Sequence, residues 1–167
     1  MSAVEGGTGP RDPAVPAAGD DIPPLTCRPD EIDLFMFSAA AWLLHRVHYD
    51  APFTTGQDGH PGLLVHGPLQ GAWMMLAVQA WLGVGAWPRS INYRHFAPAY
   101  AGDSLECGGT VTAVDVEAGS FDADLWVRKL DGTVTTRGSA SFGLPPREQG
   151  AEVAGQLQPA ATHMNQR

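Results

Sequence analysis

Residues 45–68, HRVHYDAPFTTGQDGHPGLLVHGP, place His45, His48, His60 and His66 in one short stretch interleaved with glycine and proline. Imidazole titrates near neutrality, so such a cluster can move protons, ligate a metal or cap loops. His45 and His48 are three residues apart, and His60 and His66 could approach them. No H-E-x-x-H motif accompanies them and carboxylates are scarce nearby, so no metal is expected. Proton transfer beside a loop is the chemistry that remains, with a structural use of some of the rings. The fifth position of interest is Gly67, where a helix begins at Pro68. A free N–H at a helix start, with the helix dipole behind it, favours negative charge on a ligand.

The elements that must hold these residues can be read from periodicity. Residues 31–37, EIDLFMF, read as a buried strand, with Ser38 as the N-cap of a short helix over AAAWLL. From Tyr49 to Pro61, turn residues predict a loop. LQGAWMMLAVQAWLG is apolar nearly all round, so it predicts a helix buried on most sides and closed by Gly83 or Gly85. Trp73, Met74, Met75 and Trp81 on it are core or tunnel lining rather than a cofactor box. Beyond Pro88 the period becomes two. SINYRHFAPAY and DSLECGGTVTAVDVE read as strands joined at AYAGD. SFDADLWVRKL sets Phe121, Ala123, Leu125 and Val127 on one face, and Asp131-Gly132 signals a hairpin into TVTTRGSASFG. The expectation is an α+β domain in which one antiparallel sheet wraps one long central helix.

Three stretches carry a family resemblance. HYDAPF, GLLVHGPL and INYRHFAPAYAGDSLE resemble the catalytic loop, the start of the central helix and the following strand of the MaoC-like, or type-2 enoyl-CoA, hydratases. FMFSAAAWLLHRVHYD and HPGLLVHGPL are similar to the mesaconyl-CoA (methylfumaryl-CoA) hydratase branch. The resemblance spans about residues 30–143. It implies a hot-dog fold, a hydratase or dehydratase acting on an acyl thioester of CoA or acyl carrier protein, no cofactor, and a homodimer or higher hot-dog oligomer. It also implies an active-site histidine at His48. One departure stands out: the Asp or Asn carried five residues earlier falls on Leu43, which can neither position a water nor trade a proton.

Such a reaction needs a base, an acid and donors for the enolate oxygen. His48 is the candidate acid–base residue, and His45 the candidate substitute for the partner missing at Leu43. The Gly67 N–H is the candidate oxyanion donor. Tyr49 and Asp50 complete the set on the substrate-binding side, where they fix the loop rather than react. His66 is expected to buttress the turn, and His60 and His95 receive no role. Two alternatives stay open: a degenerate hot-dog subunit or acyl-binding module, and another hot-dog activity such as a thioesterase or isomerase. The central helix lacks the carboxylate a thioesterase would want there.

The whole chain sets the bounds. Its 167 residues fit one domain at about 25–145 between tails at 1–24 and 146–167, the first rich in Pro, Gly, Ala and Asp. A formal net charge of -8, with Lys129 the only lysine, argues against a nucleic-acid partner. No apolar run approaches a membrane span, and the N-terminus lacks signal-peptide features, so the expected location is cytoplasmic. Cys27 and Cys107 form neither a metal motif nor a disulfide framework and read as free thiols.

Overall fold

A computed structural model describes residues 15–83 and 85–144. Their order is β1 (Asp21–Cys27), α1 (Glu31–Ala41), a one-turn 3-10 helix (Arg46–His48), α2 (Ala51–Gly56), α3 (Gly67–Leu82), β2 (Pro88–His95), β3 (Leu105–Asp115), β4 (Ser120–Lys129) and β5 (Val134–Gly143). The five strands form one antiparallel sheet in the order β1-β3-β4-β5-β2. Helix α3 lies against β1, β2, β3 and β4, which is the sheet-around-helix arrangement the sequence predicts.

Alternation on β4 does what its pattern demands. Phe121, Ala123, Leu125 and Val127 are all buried, and Phe121 stacks on Phe142 of β5 with ring centroids 5.2 Å apart. Across the layer α3 contributes Trp73, Met74, Ala77 and Val78 to the same core. Each large apolar side chain buried here contributes roughly 1.5–3 kcal/mol. The predicted hairpin joins β4 to β5: Gly132 sits at φ 90, and the Thr133 N–H donates to Asp131 Oδ1 at 2.8 Å. Gly83 ends α3 at φ 85.

Three local expectations are corrected. The expected strand at residues 31–37 is the front of α1. Asp30 accepts from the N–H groups of Ile32 and Asp33 while Asp33 accepts from that of Asp30, a reciprocal cap that starts a helix. Ser38, expected as an N-cap, therefore lies inside α1 and is buried. The second correction is in the loop expected over 49–61, which contains α2, capped by Asp50 at the Phe53 N–H (3.0 Å) and carrying Pro in its first turn. The third is at the N-terminal tail expected through residue 24: strand β1 begins at Asp21 and pairs with β3. Residues 1–14 and 145–167, which hold most of both expected tails, lie outside the described residues.

Cys27 and Cys107 are free thiols on adjacent strands. Burial pushes the Cys27 thiol up to about 11 and that of Cys107 higher still, so both stay protonated near neutrality. No helix among the described residues is long and apolar enough to cross a membrane.

Candidate active site

Helix α1 ends abruptly. Trp42 adopts the left-handed conformation (φ 55), its N–H and that of Leu43 turn back to α1 carbonyls, and the chain swings into the 3-10 turn that carries His48. Here the loop is tied down by Arg46, whose guanidinium bonds Asp50 Oδ2 at 2.7 and 3.0 Å and lies over the Phe53 ring. That guanidinium holds the Asp50 carboxyl below the usual carboxylate range. Tyr49 donates its hydroxyl to the Leu44 carbonyl at 3.0 Å. Asp50 and Tyr49 thus shape the turn on which His48 stands.

His48 Nδ1 lies 2.8 Å from the Leu64 carbonyl oxygen. A carbonyl only accepts, so Nδ1 carries the proton and Nε2 keeps a lone pair. Burial is the chief cause holding this imidazole below its ordinary value, outweighing the Leu64 hydrogen bond, and a charge on His45 would lower it further. His48 is therefore neutral near pH 7, with a basic nitrogen free. Its ring stacks on His66, centroids 3.7 Å apart and 20° from coplanar.

His66 is fully buried. Its Nε2 meets the Ser38 hydroxyl at 2.8 Å, Phe37 packs edge-on at 4.9 Å, and Nδ1 has no hydrogen-bond partner among the described residues. Burial, with the neighbouring His48 and His45, pulls its pKa down to about 4, so it is a neutral platform. This is the buttress expected of it, and it explains why Ser38, inside α1, is polar and buried.

Gly67 is the first residue of α3, behind His66 as N-cap, and Pro68 supplies no N–H. The Gly67 N–H has no acceptor among the described residues. Together with His48, Leu64, Val65, Gln70 and the strand end at His95 and Phe96, Gly67 lines a cleft of about 360 Å³. His48 and Gly67 thus line one cavity. His45 does not: it is exposed, and its ring centroid stands 6.4 Å from that of His48. Leu43 is half-buried and also off the lining. Among the described residues, no three His, Cys, Asp or Glu side chains converge as a metal ion would require.

His95 is the lining residue that sequence reasoning left without a role. It ends β2 beside Tyr93, and these two rings settle onto Gly67 and Gly71 of α3. A Cβ at either glycine would overlap the ring facing it. Residues two apart on a strand share a face, as do residues four apart on a helix, so the match was latent in the sequence. It becomes visible only once β2 is known to cross α3.

The family model for hydroxyacyl-thioester dehydratase type 2 matches residues 7–101, which include His48, Gly67 and His95. The chain is 39% identical over 74 residues to the mesaconyl-C(4)-CoA hydratase of Chloroflexus aurantiacus, a match covering 39% of this chain and 26% of that protein. The chain therefore spans about a quarter of that relative. Among solved structures it is similar to the (R)-hydratase from A. caviae involved in PHA biosynthesis (TM-score 0.71, 20% identity, 77% of this chain and 96% of that one). It is also similar to the ChsH1-ChsH2 complex from Mycobacterium tuberculosis (TM-score 0.70, 22% identity, 78% of this chain and 99% of that one). These likenesses carry the hot-dog fold. With more than half of its length matched by the family model, and the matched segment containing the cleft, the chain belongs to the hydroxyacyl-thioester dehydratase type 2 family.

Proposed function

We propose that the protein adds or removes water at an acyl thioester carried by CoA or acyl carrier protein. The observation that carries this reading is the pinned tautomer of His48, whose free Nε2 shares a cleft with the Gly67 N–H. In the removal direction His48 takes the proton at C2. The Gly67 N–H holds the thioester oxygen while negative charge collects on it, favoured by the α3 dipole. His45 stands off the cleft, its ring centroid 6.4 Å from that of His48. The family and the hydratase relative support the substrate class. The working unit is a hot-dog oligomer in which a second subunit covers the exposed apolar side chains of α1, Ile32, Phe35 and Met36. Incubating the pure protein with crotonyl- and mesaconyl-thioesters tests the reading: a mass change of one water is expected, and its absence with every thioester offered rejects it.

Leu43 favours a second reading. If the residue at this position is needed, the chain is a catalytically silent subunit whose partner supplies the chemistry. Wild type is then inert and Leu43→Asn gains hydration, whereas an active wild type little changed by Leu43→Asn removes this alternative. Asn is the better probe because a carboxylate in a half-buried apolar wall would be held protonated.

A further inference from the structure

The cleft contains a second imidazole whose Nδ1 proton is fixed by a hydrogen bond, as that of His48 is. Gln70 Oε1, a carbonyl-type oxygen, accepts from the hydroxyls of both Thr135 and Thr136 at 2.7 Å. Thr136 has thereby spent its only proton. Its oxygen lies 2.8 Å from His95 Nδ1, so it must accept from Nδ1–H. This leaves His95 Nε2 free, and Nε2 is the ring atom closest to where a Gly67 side chain would project. Gln70, Thr135 and Thr136 are all buried, so the relay that orients His95 is fixed in the core while its ring reaches the cleft.

The geometry points to His95 as the second proton-handling residue of the reaction, standing in for the group absent at Leu43. This inference rests on the dehydratase reading above. Removing water from a 3-hydroxyacyl thioester then runs as follows. His48 Nε2 accepts the C2 proton, and the C2–H electron pair moves toward the thioester oxygen held by Gly67. That pair returns to form the C2=C3 bond as the C3–O bond breaks, its electrons leaving with oxygen. Protonated His95 gives its Nε2 proton to the departing hydroxyl, which leaves as water. His48 ends protonated and His95 neutral, and exchange with solvent restores both. Hydration is the reverse, with neutral His95 taking a proton from the attacking water.

The test separates the two proton transfers by leaving group. Fluoride departs without a proton, so a 3-fluoroacyl thioester needs the base at C2 but not the acid at C3. With 3-hydroxybutyryl-CoA, His95→Ala should lose roughly 100-fold or more in kcat. With 3-fluorobutyryl-CoA the same variant should release fluoride at near the wild-type rate, and His48→Ala should fail on both substrates. Thr136→Val, which removes the acceptor for Nδ1–H, should lower kcat for the hydroxy substrate alone, and Thr136→Ser should recover it. Equal loss on both substrates in His95→Ala would overturn the leaving-group role. Unchanged dehydration in His95→Ala would overturn any role in the chemistry and leave the dehydratase reading standing. A wild type inert on both substrates would remove that reading and this inference together.

Discussion

At the scale of single residues, histidines differ by what surrounds them rather than by their order in the chain. His48 is half-buried and pinned at Nδ1, whereas His66 is sealed beneath it with a nitrogen unpartnered among the described residues. His48→Ala should therefore lower turnover by roughly 100- to 10,000-fold while thermal unfolding stays near wild type, because the ring is not core. Unchanged turnover on a confirmed substrate would refute its role. His66 titrates differently. Its pKa in the folded protein, about 4, lies below the value near 6.5 expected when unfolded, so the unfolded state binds the proton first. Stability should be fully present above about pH 6.5 and fall as pH drops toward 4, by about 3 kcal/mol in the limit. His48 is shifted the same way and adds to the slope. Urea titrations across this window should show the loss in wild type and much less of it in His66→Asn; equal slopes would refute the assignment. The histidine cluster and Gly67 were legible because they sit within one contiguous stretch. His95 was not, because its partner Thr136 is 41 residues away and its glycine is on another element.

Among the elements, legibility followed how far a segment's pattern was shared by its alternatives. β4 alternates strictly and α3 is long, so each had one reading. EIDLFMF is short and apolar, and periodicity alone does not separate a strand from a helix there. What decides it is Asp30 and Asp33, a cap with Asp at the third position in place of the more familiar Glu or Gln. The resulting helix buries Leu34 and Ser38, four apart, and leaves Ile32, Phe35 and Met36 exposed, so its apolar residues outnumber its buried ones. β1 was hidden by Pro23 and Pro24, which read as tail but are tolerated on a sheet edge. The packing of β2 on α3 gives an element-scale prediction. A Cβ on Gly71 would lie 2.7 Å from Tyr93 Cε1 and 2.8 Å from Cζ, both in a rigid ring, so Gly71→Ala should destabilise by about 1–3 kcal/mol. Because His95 packs beside Tyr93, the same variant should lose activity as well. A melting temperature at or above that of wild type would show that the strand can shift at no cost.

Taken as a whole, the molecule leaves a good deal of apolar surface uncovered. Beyond the α1 residues, Trp42 and Leu44 are 80% and 60% exposed, close to the loop that carries His48. Light scattering at micromolar concentration should accordingly give at least twice the monomer mass, and a monomer would count against the hot-dog oligomer. The two edges of the sheet are not alike. β1 offers Pro23 and Pro24, which lack an N–H, and its pairing with β3 is irregular between Ile22 and Leu25. β2 carries a single proline, at its first residue, and pairs regularly with β5 from Ser90 to His95. One edge is thus blunted and the other left able to pair. Growth of the sheet by addition of strands can proceed from β2 but has nowhere to continue once two β2 edges have met. A contact of that kind is closed by its own two-fold symmetry. The two prolines so easily dismissed as tail would keep an acidic, sheet-rich protein from running on into fibres, a form of quality control written into the edge rather than the core.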